Sequence, residues 1–289
     1  MSYIDNLIEL ALLEDAAYED LTANATILSL QRGIAQITAK ATGTLSGCEI
    51  AQQVFDTLNP SIQQQWFKND GDVVQVGDVI VELTGNLRAL LAAERTALNF
   101  MQHLSGIATA TQAFVDVVQG TDCLIADTRK TTPGLRLLEK KAVIHGGGIN
   151  HRMDLSSGML IKENHIEGSG SITDAIHACF EACFKNNYDV WVEVECETED
   201  EVKEAVQSCP DIILLDNMTP EQVQRCRHLV PDSILLEASG NITLDNARLY
   251  AETGVNRIAI GAITHSSPSL DLSMHVQAIA MNVAANDES

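Results

Sequence analysis

Residues 145–152 read HGGGINHR: three consecutive glycines run into an asparagine, a histidine and an arginine. Backbone N–H groups converge on an anion only where no Cβ blocks them, so a glycine run can cradle a phosphate. The two side chains that follow can carry positive charge. The stretch therefore reads as a nucleotide loop, a hinge, or the wall of another anion site. Its surroundings are rich in cations. Residues 126–165 hold Arg129, Lys130, Arg136, Lys140, Lys141, Arg152 and Lys162 against only Asp127, Glu139, Asp154 and Glu163. The whole chain carries 18 Lys+Arg against 40 Asp+Glu, a formal net charge of -22. Such a surface repels nucleic acids and anionic membranes, so neither is an expected partner. An anionic substrate has to be captured locally. Lys140 and Lys141 read as solvated helix lysines; Arg129, Lys130, Arg152 and Lys162 read as functional.

Their placement supports that division. Six short apolar runs end in polar groups: CLIADTRK (123–130), MLIKEN (159–164), VWVEVE (190–195), DIILLDN (211–217), SILLEASG (233–240) and RIAIGAIT (257–264). If these are parallel strands, Arg129-Lys130, Lys162-Glu163, Glu195, Asp216-Asn217, Ser239-Gly240 and Gly261 converge on the rim where barrel active sites lie. Arg129, Lys130, Arg152 and Lys162, with His151 beside them, suit a ligand bearing several carboxylates or phosphates. Glu195 and Asp216 suit magnesium, which binds through one or two carboxylates plus substrate phosphates. Glu193 shares a face with Glu195, because strand side chains alternate, but sits one layer deeper, where it could hold a lysine in position. Backbone amides at Ser239-Gly240, before a helix expected from Ile242 or Thr243, and at Gly261 offer a phosphate seat. Together the groups fit transfer of a phosphorylated sugar to a small acidic acceptor, with a metal-bound phosphate as leaving group.

The elements that must position these groups change character along the chain. Residues 4–13 and 48–58 have helical periodicity, 37–47 reads as a strand, and NDGDVVQVGDVIVELTG (69–85) as a hairpin with Gly-Asp turns. A long helical run, 87–106, ends at Ser105-Gly106. Arg95 lies within it, and on spacing alone it reads as a surface arginine, or one paired with Glu94 or Glu82. Beyond residue 120, strands starting at 190, 211, 233 and 257 alternate with helices at 135–145, 171–185, 198–208, 219–229 and 243–253. That repeat predicts a wound parallel sheet, and its uniformity favours a barrel over an open sheet. Hydrophobic residues make up 45% and aromatics 4% of the 289 residues, so the core is aliphatic. The seven cysteines form no CxxC pair, which argues against a disulfide framework or cysteine zinc site and fits a reducing cytoplasm. The N-terminus lacks a basic-then-apolar signal pattern, and no run is long and apolar enough to span a membrane.

ADTRKTTPGLRLLEKKAV (126–143), GGGINHRMDLSSGMLIKENHI (146–166), VEVEC (192–196), LLDNM (214–218), EASGNIT (237–243) and GAITHS (261–266) resemble the nicotinate-nucleotide pyrophosphorylase (carboxylating), or quinolinate phosphoribosyltransferase, family. ERTALNFMQHLSGIAT (94–109) and ALLEDAAYEDLT (11–22) extend the likeness over nearly the whole chain. The resemblance implies an N-terminal α/β sandwich domain over residues 1–110 and an incomplete, seven-stranded α/β barrel over 111–270. The tail, 271–289, is expected to return to the first domain. It implies decarboxylating phosphoribosyl transfer from 5-phosphoribosyl 1-diphosphate to quinolinate, with Mg2+, in a cytoplasmic homodimer or multiple of dimers. By position, Arg129, His151, Arg152 and Lys162 would line the quinolinate pocket, with Lys130 between the two substrates. Glu195 and Asp216 would meet the ribose hydroxyls and magnesium diphosphate, and Ser239, Gly240 and Gly261 the 5-phosphate. Arg95 would reach into the partner subunit's site, which overrides the reading from spacing. Glu163, Glu19 and Asn241 depart from the family pattern, which more often has Asp, Gly and Gly there. A sister group associated with molybdenum transport differs around the RK and HR motifs, and a nicotinate-specific enzyme would need fewer cations.

Overall fold

Strand and helix signals in the sequence resolve into two compact units in the computed structural model, which describes residues 2–280. One unit runs up to Thr109 and resumes at Ser267; the other comprises Ala110–Ser266. Of the tail expected to return to the first domain, residues 281–289 lie outside the described residues. The strands, in chain order, are β1 (Arg32–Ala39), β2 (Gly43–Thr44), β3 (Gln63–Trp66), β4 (Val73–Val74), β5 (Val79–Asn86) and β6 (Leu124–Ala126). They continue as β7 (Met159–Ile161), β8 (Val192–Cys196), β9 (Ile212–Asp216), β10 (Leu235–Ser239), β11 (Arg257–Ala259) and β12 (Leu272–Ala278). Among the described residues no helix is long and apolar enough to cross a membrane.

The first unit is built on an antiparallel sheet ordered β12-β1-β5-β3. β1 alternates as a half-buried strand should, burying Ala35, Ile37 and Ala39 on one face. Helix Cys48–Leu58 buries Ile50, Ala51, Val54 and Phe55 at helical spacing. Residues 69–85 do not form the expected hairpin. β4 pairs with β2 in a separate two-stranded sheet, while β5 pairs with β1 and β3. The second Gly-Asp turn is tied to β1: Gly77 N–H donates to the Ala39 carbonyl (2.9 Å) and Ala39 N–H to that of Asp78 (3.0 Å). That turn therefore hands the chain from one sheet to another.

Helix Leu87–Val118 also differs from expectation, running straight through Ser105-Gly106. Gly106 serves close approach instead. A Cβ on it would stand 2.2 Å from the Pro268 carbonyl oxygen.

In the second unit the parallel sheet runs β6-β11-β10-β9-β8-β7. Ile149 adds a single parallel bridge to Ala126, so one residue occupies the place of a seventh strand and the barrel is incomplete. β9 is buried along Ile212–Leu215 because helices cover parallel strands on the outside. Two of those helices start at reciprocal side-chain caps legible in the sequence. Thr198 with Glu201 and Thr219 with Gln222 form reciprocal capping boxes, the latter with Pro220 in the first turn. Each parallel strand thus ends at one rim. Gly106→Ala should destabilise the fold by about 1–3 kcal/mol through overpacking against Pro268, read as a lower denaturant midpoint.

Candidate active site

Asp127, directly after β6, is fully buried, and its carboxylate needs donors. It accepts from Lys140 Nζ, from Asn150 Nδ2 (2.6 Å) and from the His151 N–H (2.9 Å). Lys140 Nζ also donates to the His151 carbonyl (3.0 Å). Lys140 is therefore no solvated lysine: it is fully buried on the inward face of helix Arg136–His145. The glycines bring the chain round to meet it. Gly147 has φ +83°, and a Cβ on Gly148 would stand 3.1 Å from the Ile125 carbonyl, beside the bridge at Ile149. HGGGINHR is a bend that presents residues 150–152.

His151 is engaged on both sides of its ring. Nδ1 accepts the Arg152 N–H (2.7 Å), which assigns the proton to Nε2. Nε2 faces Glu193 at 3.1 Å and Glu237 at 3.6 Å. Burial pushes its pKa down to about 4, against the pull of Glu237, so the imidazole is neutral rather than cationic. Glu193 pairs with this histidine and with Arg257 Nη2 (3.2 Å), not with a lysine as the spacing suggested. Arg257 Nε donates to Glu237. The guanidinium lies 5.9 Å from the Trp191 ring, which meets His151 edge-on at 5.3 Å. Burial lifts Glu193 and Glu237 to about 7 each.

Above this floor is a cleft of about 360 Å³ lined by Arg129, Lys130, His151, Arg152, Lys162, Glu195, Asp216 and Ser239, with Thr128 and Glu237. Arg129 Nε is buried without a hydrogen-bond partner. Arg152 is pushed down from the usual arginine range by burial and then by the charge of Arg129. Its Nη1 donates to the Gly158 carbonyl (3.0 Å), leaving Nη2 and the charge for a ligand. Lys162 Nζ pairs with Glu195. Asp216 is pushed up by burial and next by Glu195, while Lys162 and Lys130 pull it back. The two rim carboxylates thus repel each other, a condition a bound cation relieves.

The segments expected to seat a phosphate have their own geometry. Gly240 has φ +92°, and a Cβ there would stand 2.2 Å from Asn217 Oδ1. Asn241 (φ 53°) supplies the left-handed conformation that glycine usually would, and donates to Asn217 Oδ1 (3.0 Å). The helix expected from residue 242 or 243 begins only at Ala247, so no helix end stands directly behind Ser239-Gly240. Gly261 makes room for Lys130, whose Cδ would lie 2.9 Å from a Cβ at that position.

Eight of the candidate site residues therefore line one cleft, and Gly240 and Gly261 adjoin it. Arg95 is exposed on helix Leu87–Val118, in the other unit. Glu163 opens helix Glu163–Ser169 and is exposed. Sequence reasoning missed Asp127, Lys140, Glu237 and Arg257. The available signal was charge inside apolar strands: Glu237 shares its strand face with Ser239, and Arg257 opens β11.

Residues 107–275 match the family description "Quinolinate phosphoribosyl transferase, C-terminal domain", and residues 20–105 match its N-terminal domain. The probable nicotinate-nucleotide pyrophosphorylase (carboxylating) of Bacillus subtilis is 45% identical over 264 residues, covering 91% of this chain and 90% of that protein. Quinolinate phosphoribosyltransferase (decarboxylating) 1b of Nicotiana tabacum is 37% identical, covering 94% of this chain and 82% of that protein. The crystal structure of NadC from Streptococcus pyogenes superposes with TM-score 0.90 at 38% identity, covering 96% of this chain and 97% of the other.

Lys140→Met leaves Asp127 buried without its counter-charge and should cost about 3–5 kcal/mol in denaturant unfolding. Adding Asp127→Asn to that variant should recover part of the loss.

Proposed function

The chain belongs to the quinolinate phosphoribosyltransferase family, and on that premise we propose how its cleft performs the family's reaction. The enzyme is a pentosyltransferase. It joins quinolinate to 5-phosphoribosyl 1-diphosphate, giving nicotinate mononucleotide, diphosphate and carbon dioxide in NAD biosynthesis.

The observation that carries the placement of quinolinate is the unmatched positive charge of Arg129 and Arg152. A dianionic acid can neutralise both, and guanidinium forks match carboxylate oxygens in pairs. His151 contributes a neutral ring wall, and Lys162 the third cation, shared with Glu195. Lys130, seated over Gly261, lies between quinolinate and the ribose diphosphate. Ser239, Gly240 and Gly261 take the 5-phosphate.

The bound ring nitrogen attacks C1 of the ribose as diphosphate leaves, and positive charge builds on the sugar. Glu195 and Asp216 face that charge and the ribose hydroxyls. The same two carboxylates would hold Mg2+, which supplies charge neutralisation on the departing diphosphate. Their fit to the ion rests on their mutual repulsion and on the single lysine paired with them. Lys130 adds its charge at the leaving group. Once the nitrogen is quaternary, the ring accepts the electron pair left by the departing carboxylate. No protein nucleophile is needed, so catalysis is positioning and electrostatics.

In this reading the enzyme is a cytoplasmic homodimer, or a multiple of dimers, in which Arg95 completes the partner subunit's cleft. The exposure of Arg95 supports that role.

Purified protein supplied with Mg2+ and 5-phosphoribosyl 1-diphosphate should release carbon dioxide from quinolinate and leave nicotinate untouched. Turnover of nicotinate alone would overturn the assignment. Arg152→Ala should raise KM for quinolinate about 10- to 100-fold, the worth of a lost charge-assisted contact, with little change in KM for the sugar diphosphate. Arg95→Ala and Lys130→Ala, each inactive alone, should regain activity when their subunits are exchanged. Verified exchange without recovery would remove Arg95 from the neighbouring site.

A further inference from the structure

Loss of carbon dioxide leaves an electron pair on the ring carbon next to the quaternary nitrogen, and a proton must arrive there. The groups assigned above are poor donors of it. Arg129 and Arg152 hold their protons too tightly. Lys162 is paired with Glu195, and Lys130 serves the leaving diphosphate.

Glu237 is different. It lies on β10 two residues before Ser239, is fully buried, and lines the cleft. Oε2 accepts from Arg257 Nε on β11, whereas Oε1 has no hydrogen-bond partner. The nearest donor to Oε1 is His151 Nε2 at 3.6 Å, which lies closer to Glu193 of β8, at 3.1 Å. The groups facing Glu237 are therefore Glu193, Arg257 and the neutral His151. Two carboxylates against one guanidinium leave an excess negative charge at full burial unless one carboxyl stays protonated. Glu193 and Glu237 each pair with Arg257 and His151, and each keeps one oxygen without a hydrogen-bond partner; of the two, Glu237 is the one that lines the cleft. Burial, then the charge of Glu193, lifts Glu237 to about 7, the range suited to a general acid at neutral pH.

Resting on the placement of quinolinate above, we propose that the Glu237 carboxyl is the acid that protonates the ring carbon vacated by carbon dioxide. The bond from the ring carbon to the leaving carboxylate breaks, and its electron pair stays on the ring. The Glu237 O–H bond breaks and its proton forms the new C–H bond. The resulting carboxylate is held by Arg257 and regains a proton from water after product leaves. Prompt protonation also prevents recapture of carbon dioxide.

The test is a single turnover of the full-length enzyme with Mg2+, 5-phosphoribosyl 1-diphosphate and quinolinate labelled in the 2-carboxylate. Diphosphate and carbon dioxide release are timed separately. Glu237→Gln should release diphosphate within about twofold of the unaltered enzyme and carbon dioxide about 100-fold more slowly. Equal slowing of both would assign Glu237 to substrate positioning, and no change in either would give it no part; each overturns the proposal. If the variant does not fold, the unaltered enzyme still decides. The carbon dioxide rate relative to the diphosphate rate should fall as pH rises through about 7, and a flat ratio across that range overturns the proposal. Failure of the unaltered enzyme to release diphosphate with quinolinate would instead sink the functional reading, and the proposal with it.

Discussion

Asp127 and Lys140 neutralise one another at full burial, and residues 149–152 hang from that pair. Two charges removed from water are costly, and their attraction offsets the cost only when the remaining donors and acceptors are also satisfied. Here they are: Asn150 and the His151 backbone complete the carboxylate, and the His151 carbonyl takes a second lysine proton. The pair therefore holds a segment in place as well as neutralising itself. Without it, the ring of His151 and the guanidinium of Arg152 would lose the backbone that aims them. The glycines before them give the chain its bend, because a Cβ at Gly148 would crowd Thr111, Val143 and the Ile125 carbonyl.

The cleft built on that anchor sets charges in two layers. Period-2 alternation puts Glu193 and Glu195 on one face of β8, and Glu237 and Ser239 on one face of β10. The deeper pair is tied to Arg257 and the neutral His151. The rim layer leaves Arg129 and Arg152 without carboxylate partners of their own. An acidic protein can admit a dianionic substrate only where such cations are held unmatched, and partial burial strengthens their pull.

Much of this was legible in the residues. The βα repeat, the strand-end chemistry and the helix caps are local signals, and the parallel sheet follows them closely: helix 219–229 was expected and Pro220–Leu229 is observed. The failures share a cause. The Gly-Asp turns of 69–85 looked like a hairpin because turn chemistry is local, yet hydrogen bonds from Ala39 decide where the second turn lies. Gly106 looked like a breaker, yet a distant carbonyl requires it. Lys140 looked solvated because a lysine two residues from the apolar Leu138 gives no hint of a carboxylate waiting thirteen positions away.

Residue order by itself determined which side chains reach the rim, since strand period and strand ends are properties of short segments. It also determined the net negative charge against which a cationic pocket must work. Tertiary structure alone decided which charges are spent inside the protein and which stay available. Lys140 is consumed by Asp127, His151 by Arg152 and Glu193, and Arg257 by two glutamates, while Arg129 keeps a free donor. Pairing of that kind depends on distance across the fold and on exclusion of water, and neither is encoded in any one stretch of chain.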